Sequence, residues 1–271
     1  MSRRRSVAAL LAAAAVLVLP VLGAAQAAAA PAQQQPQDDA AVRSYGSCLK
    51  GQRAGDLLLL IDESGSLRES DPAKARVSAA TYLLTQLATQ TGRDGIALQV
   101  QVAGFATVFD PNASPWTPLN PQTLPALTQS VQAFAERDDG DDTDYWTALE
   151  GARRTLADHA QAEGAGEAGR CQAIAWFSDG KLDLEPRESA ERQQEFGTTV
   201  PYAPGVDLST EDGAARAEAA ATESLCRAGG LADQLRTANV VTFGVGLVPA
   251  GVPETDFDLM RAISTGGQFQ G

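Results

Sequence analysis

Residues 56–66 read DLLLLIDESGS. Leu57, Leu58, Leu59, Leu60 and Ile61 form an unbroken apolar run with no polar face. A run this short and this uniform is a strand covered on both sides, as in the middle of a parallel sheet. It ends abruptly at Asp62, after which Ser64 and Ser66 put further oxygen-bearing side chains on alternate positions. Open α/β sheets bind ligands in the crevice beyond the carboxyl ends of their strands. Short oxygen donors at such an edge suit a hard cation.

Two other segments repeat the apolar pattern, residues 171–177 (CQAIAWF) and 239–245 (NVVTFGV). In residues 96–102, Ile96, Leu98, Val100 and Val102 alternate with Ala97, Gln99 and Gln101, which predicts a strand with one less buried face. Gly104 is expected to break it, and 105–109 to continue as a hairpin or edge strand. Helical spacing of apolar residues marks 73–89 (Val77, Ala80, Leu83, Leu84, Leu87) and 145–162 (Leu149, Ala152, Leu156). Further helices are expected over 124–135, 214–238 with a break at Gly229, and 256–263. Buried strands alternating with helices predict an α/β fold. It is a doubly wound, mostly parallel sheet with helices on both faces and one antiparallel edge strand. The chain has room for one such domain, residues 55–271.

The first thirty residues stand apart. Arg3, Arg4 and Arg5 precede an apolar stretch over 7–22, and small residues in A-x-A patterns end at Ala27 and Ala30. This is the anatomy of a secretory signal peptide, cut after Ala27. Residues 31–54 begin polar and proline-containing and read as a flexible lead-in. Loss of residues 1–30 removes three arginines and no acid, taking the formal charge from −13 to −16. So acidic a chain does not bind nucleic acid by neutralising phosphates, and it suits cations or basic partners. Outside the cell, disulfides are expected among Cys48, Cys171 and Cys226. Three is odd, and a Cys171–Cys226 bridge is one of the connectivities left open. His159, the only histidine, is placed on the exposed side of its helix.

Oxygen donors gather from three places. Asp62, Ser64 and Ser66 follow the first strand, Thr143 lies in the acidic stretch ERDDGDDTD (136–144) before a helix, and Asp179 follows the strand over 171–177. Strand ends in such a sheet share one edge, so the five can converge. Two carboxylates and three hydroxyls suit Mg²⁺ or Mn²⁺ and not zinc.

In its order and strand context this set resembles the metal-ion-dependent adhesion site of a von Willebrand factor type A domain: D-x-S-x-S, a threonine before a helix, an aspartate at a later strand end. The resemblance covers the chain from about residue 55 onward. It implies Mg²⁺, with Mn²⁺ or Ca²⁺ as substitutes, held directly by Ser64 and Ser66. Thr143 and Asp179 would bind directly or through water, and Asp62 would orient the site. It also implies a secreted or cell-envelope module, not an enzyme, that binds a protein or extracellular matrix ligand whose Asp or Glu completes the coordination. Members carry a further strand and helix at this point, so the C-terminus is expected to be truncated, and membrane attachment through a segment outside this chain stays open. The competing readings are a metal-dependent hydrolase or phosphatase on the same residues and a structural ectodomain.

Around the site, Glu63 is expected to face solvent, and the aspartates flanking Thr143 to form a solvated acidic turn, with a second calcium site as the alternative. Residues 181–213 make a long connection leaving the metal edge, which is either functional, with Arg192, Phe196 and Tyr202 meeting a partner, or a tolerated insertion. Trp116 and Trp146 are read as core or loop-packing residues.

Overall fold

The computed structural model describes residues 36–164, 169–180, 182–247 and 257–266. The expected signal peptide lies outside these residues. The elements run α1 (Pro36–Gln52), β1 (Ala54–Asp62), α2 (Leu67–Ser70), α3 (Ala75–Asp94), β2 (Ala97–Phe105), β3 (Phe109–Asp110), β4 (Thr117–Pro118), α4 (Leu124–Gln132), α5 (Tyr145–Ala162), β5 (Cys171–Ser178), α6 (Ala190–Phe196), α7 (Glu211–Cys226), α8 (Leu231–Thr237), β6 (Val240–Gly246) and α9 (Asp258–Ile263). Their sheet has the order β3-β2-β1-β5-β6, with β4 also beside β2. β1, β2, β5 and β6 are parallel, whereas β3 and β4 run antiparallel to β2. The doubly wound, mostly parallel sheet expected from the alternation of strands and helices is therefore present.

β1 is central, and its leucines explain why no polar residue interrupts them. Leu57, Leu59 and Ile61 point to one side, among Val77, Ala80 and Leu84 of α3 and Leu127 and Val131 of α4. Leu58 and Leu60 point to the other, among Leu149, Ala152 and Leu156 of α5, Trp176 and Leu235. All five are fully buried, each contributing roughly 1.5–3 kcal/mol of transfer free energy. A strand fixed this firmly gives the residues after it a rigid base.

The expected flexible lead-in is instead mostly helix. Ala41, Tyr45 and Leu49 of α1 recur every four residues and are buried. Tyr45 donates its hydroxyl to the Asp56 carbonyl at 3.1 Å. Cys48 is bonded to Cys171 at the start of β5, with Cα atoms 5.9 Å apart. Three apolar residues and one covalent tie hold a helix whose other positions are mostly polar, and that polarity hides it in the sequence. Cys226 is the free thiol, so the Cys171–Cys226 bridge does not form.

Two further expectations are corrected. Gly104 does not break β2, which runs through it to Phe105. Its role is close approach: a Cβ there would stand 1.4 Å from Oε1 of Glu63. His159 is only 9% exposed. It stacks on Trp116 with ring centres 4.2 Å apart, and its Nε2 lies 3.6 Å from Oδ1 of Asp56. Positions 149, 152, 156 and 159 follow the same 3–4–3 spacing, so His159 continues the apolar stripe of α5.

Candidate metal centre

β1 and β5 pair in parallel with Ile61 opposite Phe177, so Asp62 emerges beside Ser178 and Asp179. The Asp62 side chain is fully buried. Its Oδ1 accepts the Ser64 N–H at 2.8 Å, which turns the chain tightly past the strand end. Its Oδ2 accepts the Ser178 hydroxyl at 2.6 Å. Ser64 and Ser66 bring their hydroxyl oxygens within 3.1 Å of each other. Ser66 then donates to Oδ1 of Asp179 at 3.4 Å, and Ser70, at the end of α2, donates to Oδ2. Four of the five expected residues thus lie in one connected patch.

Thr143 reaches the same edge by its backbone. The acidic loop is clipped to the turn after β1, since Gly65 donates to the Gly140 carbonyl at 2.7 Å and Gly140 donates to that of Glu63 at 3.0 Å. Gly140 permits this approach, because a Cβ would stand 2.3 Å from that of Ala106. Three residues on, Thr143 pairs antiparallel with Asp183, just past β5, with N–H to carbonyl distances of 2.8 and 3.3 Å. Asp144 donates its N–H to Ala106 past the end of β2 at 3.1 Å. Thr143, buried, is held between the ends of β2 and β5.

The electrostatics of this edge are set by two neighbouring carboxylates, one of them fully buried. Burial, then the nearby Asp179 carboxylate, push the Asp62 carboxyl up to about 7, against the hydrogen bonds from Ser178 and Ser64. Serines supply the hydrogen bonds to both carboxylates, and no arginine or lysine among the described residues pairs with either. Among the described residues no three His, Cys, Asp or Glu side chains gather as a metal cluster, so any cation here must rely on hydroxyls as well. A donor set of two carboxylates and hydroxyls, all oxygen, fits a hard divalent cation.

Much of what supports the edge was not read from the sequence. Ser70 and Ser178 donate to the two carboxylates, and nothing in their sequence surroundings marks either as a partner. Asp71 and Arg76 form a buried pair at 2.8 Å, and Arg76 also donates to the carbonyls of Phe134 and Arg137 at 2.7 and 3.0 Å. That pair fixes the exit of the serine-bearing loop. Glu63 is not solvent-facing: its side chain is 18% exposed and lies 3.5 Å from Arg137.

The acidic loop is not a solvated turn either. Asp138 pairs with Lys74 at 2.7 Å and with Arg68 at 3.4 Å. Asp141 meets Arg192 at 2.9 Å. Asp142 is fully buried, accepts the Glu185 N–H at 2.8 Å and lies 3.6 Å from Arg187. Asp144 caps α5, accepting the Thr147 N–H at 2.9 Å and hydroxyl at 2.7 Å. Burial pushes the carboxyls of both Asp142 and Asp144 up. The connection between β5 and α7 is also built: α6 and a small cluster of Leu184, Val200, Ala203, Leu208 and Ala217 give it a core. Arg192 and Tyr202 face the acidic loop, and the Phe196 ring lies 5.9 Å from the Arg187 guanidinium.

Residues 57–181 match the von Willebrand factor type A domain family. No curated protein matches the sequence. Among solved structures, the chain resembles three N-terminal domains of the type V pili tip protein Mfa5 from Porphyromonas gingivalis, with a TM-score of 0.51 at 12% identity, over 79% of this chain and 46% of that one. It also resembles the PilB minor pilin from Streptococcus sanguinis, with a TM-score of 0.50 at 13% identity, over 79% and 55%. A third similar structure is proximal thread matrix protein 1 from the mussel byssus with a zinc-occupied MIDAS motif, at a TM-score of 0.46 and 18% identity, over 78% and 41%. The chain thus spans 41–55% of the length of these proteins. At these identities the likeness is one of fold. The matched stretch contains all five oxygen donors, from Asp62 to Asp179, and the chain carries a von Willebrand factor type A domain.

Proposed function

We propose that this protein is a secreted or cell-envelope binding module. Asp62, Ser64, Ser66, Thr143 and Asp179 would hold Mg²⁺ at the carboxyl edge of the sheet. The observation that carries this reading is the pair of carboxylates, Asp62 and Asp179, set among serine hydroxyls with no basic side chain of the described residues beside them. Bound there, the ion supplies an open coordination position for an oxygen of a partner's Asp or Glu. Ser64 and Ser66 present their hydroxyls from a turn fixed by the Asp62 carboxylate. Ser70 and Ser178 hold the two carboxylates in place. The partner is a protein or matrix component, and the disulfide between Cys48 and Cys171 supports an oxidising, extracytoplasmic location. Among the described residues no helix is long and apolar enough to cross a membrane.

A binding role is favoured over a hydrolase acting through Ser64. The only histidine, His159, sits beside Asp56, six residues back along β1 from Asp62 and so about 20 Å away at the usual strand rise. The test is thermal unfolding with Mg²⁺ and with chelator, for the wild type and Ser64→Ala. A Mg²⁺-dependent rise in melting temperature that the variant loses supports the proposal. Equal melting with and without metal, in both proteins, removes its basis.

A further inference from the structure

We propose that Tyr202, on the connection between β5 and α7, is a positioning residue for the metal centre, acting through Asp144 on Thr143. The inference rests on the metal-binding reading above and assigns part of that function to a segment outside the five donors.

Three consecutive residues of the acidic loop are fastened to this one segment. Asp142 accepts the Glu185 N–H at 2.8 Å. Thr143 exchanges both backbone hydrogen bonds with Asp183. Asp144 accepts the Tyr202 hydroxyl at 2.7 Å. The opposite side of the loop is fastened to the end of β2, through Asp142 N–H to the Thr107 hydroxyl at 3.2 Å and Asp144 N–H to Ala106. Thr143 is therefore set by two walls, and one of them is the β5–α7 connection.

Within that wall, Tyr202 makes a contact that depends on a side chain alone. It lies nineteen residues beyond Asp183 in the chain, so its position comes from the fold of the segment. Ala203 donates to the Val200 carbonyl at 3.2 Å, closing the turn that carries Tyr202, and both Val200 and Ala203 sit in the small core with Leu184 and Leu208. The Tyr202 ring packs against Trp146 of α5, with centres 5.0 Å apart and planes at 47°. Its hydroxyl is aimed at an Asp144 carboxylate that is only 1% exposed and, among the described residues, otherwise receives only Thr147 donors. Removing this hydroxyl leaves a buried carboxylate one donor short, next to the residue whose hydroxyl must face the ion.

The experiment compares Mn²⁺ affinity, read by electron paramagnetic resonance of free Mn²⁺, with metal-free melting temperature. The proteins are the wild type, Tyr202→Phe and Leu156→Ala. Phenylalanine keeps the ring against Trp146 and deletes only the hydroxyl. Leu156→Ala removes core packing from the middle of α5 and touches none of the loop contacts. Tyr202→Phe is expected to weaken Mn²⁺ binding about 10-fold, the lower end of the roughly 10- to 100-fold that loss of an outer-shell partner costs. Its metal-free protein should melt no lower than that of Leu156→Ala, which should itself bind Mn²⁺ with wild-type affinity well below its melting temperature. Wild-type affinity in Tyr202→Phe overturns the inference. So does an equal loss of affinity in Leu156→Ala, which would show that any destabilisation weakens the site. Absence of Mn²⁺ binding in the wild type overturns the metal-binding reading and this inference together, whereas the first two outcomes leave that reading standing.

Discussion

Ser178 donates its hydroxyl at 2.6 Å to Asp62, a carboxylate buried at the end of the central strand. Ser178 closes β5 and Asp62 closes β1, neighbours in the sheet but 116 residues apart in the chain. The bond joins the two strand ends that carry the candidate site. Tyr145 adds its own hydroxyl to Ser178 at 3.0 Å, tying in the first residue of α5. Ser178→Ala leaves the carboxylate without one of its hydrogen-bond donors. The cost expected for an unmade bond to a buried charged group is about 1–3 kcal/mol, measured by urea unfolding of the metal-free protein. Unchanged stability would mean that Asp62 is solvated or protonated in the native state.

The disulfide closes a loop with a sequence separation of 123. Chain entropy over a loop this long favours the bonded form by about 4–5 kcal/mol. Cys48→Ser is therefore expected to lower stability by about 2–5 kcal/mol and to release α1 from the sheet. Cys226→Ser should leave stability nearly unchanged and remove the single reactive thiol of the unfolded, non-reduced chain. Two or more reactive thiols in wild-type protein would show that the Cys48–Cys171 bond is not made.

Arg76 and Asp71 are fully shielded partners, with side chains 0% and 1% exposed. Arg76→Met strips the positive charge and leaves Asp71 buried. Breaking one side of such a pair costs about 3–5 kcal/mol. Because Asp71 directly follows Ser70, the same substitution should also weaken metal binding. The double variant Asp71→Leu with Arg76→Met is expected to recover stability and to leave metal binding impaired. Recovery of both would show that the pair has no part in holding the serine loop.

Gly104 lies under the Glu63 carboxylate. Gly104→Ala must push that side chain, and the Phe134 ring 2.9 Å from the same point, out of place. Overpacking of this kind costs about 1–3 kcal/mol. Gly104→Ala combined with Glu63→Ala should be milder than Gly104→Ala alone in chemical denaturation. A double variant as unstable as the sum of the two singles would place the strain elsewhere.

The parts legible in the sequence were those in which chemistry and periodicity coincide locally. The run from Leu57 to Ile61 reads as a strand buried on both sides, and the oxygens after it follow within five residues. Leu149, Ala152 and Leu156 place α5 at its observed limits. Asp179 was legible because it follows another apolar run with only Ser178 between. What stayed hidden is held by contacts between residues far apart in the chain. Nothing near Ser178 signals that its hydroxyl belongs to Asp62. Tyr202 looks like a surface residue until the segment folds back on Asp144. The polarity of α1 conceals a helix that a disulfide and three apolar residues hold down. Glu63 and the aspartates around Thr143 read as solvated charge, because their partners, Arg137, Lys74, Arg192 and Arg187, come from other elements.

One hard cation is proposed to sit at the strand ends that carry Asp62 and Asp179. Calorimetric titration of the chelator-treated protein with Mg²⁺, alongside Asp179→Ala, addresses it most directly. The expected result is a single saturable site in the wild type and loss of binding in the variant, with the variant still folded by circular dichroism. No heat of binding in the wild type at millimolar Mg²⁺, or the same isotherm in both proteins, would contradict it.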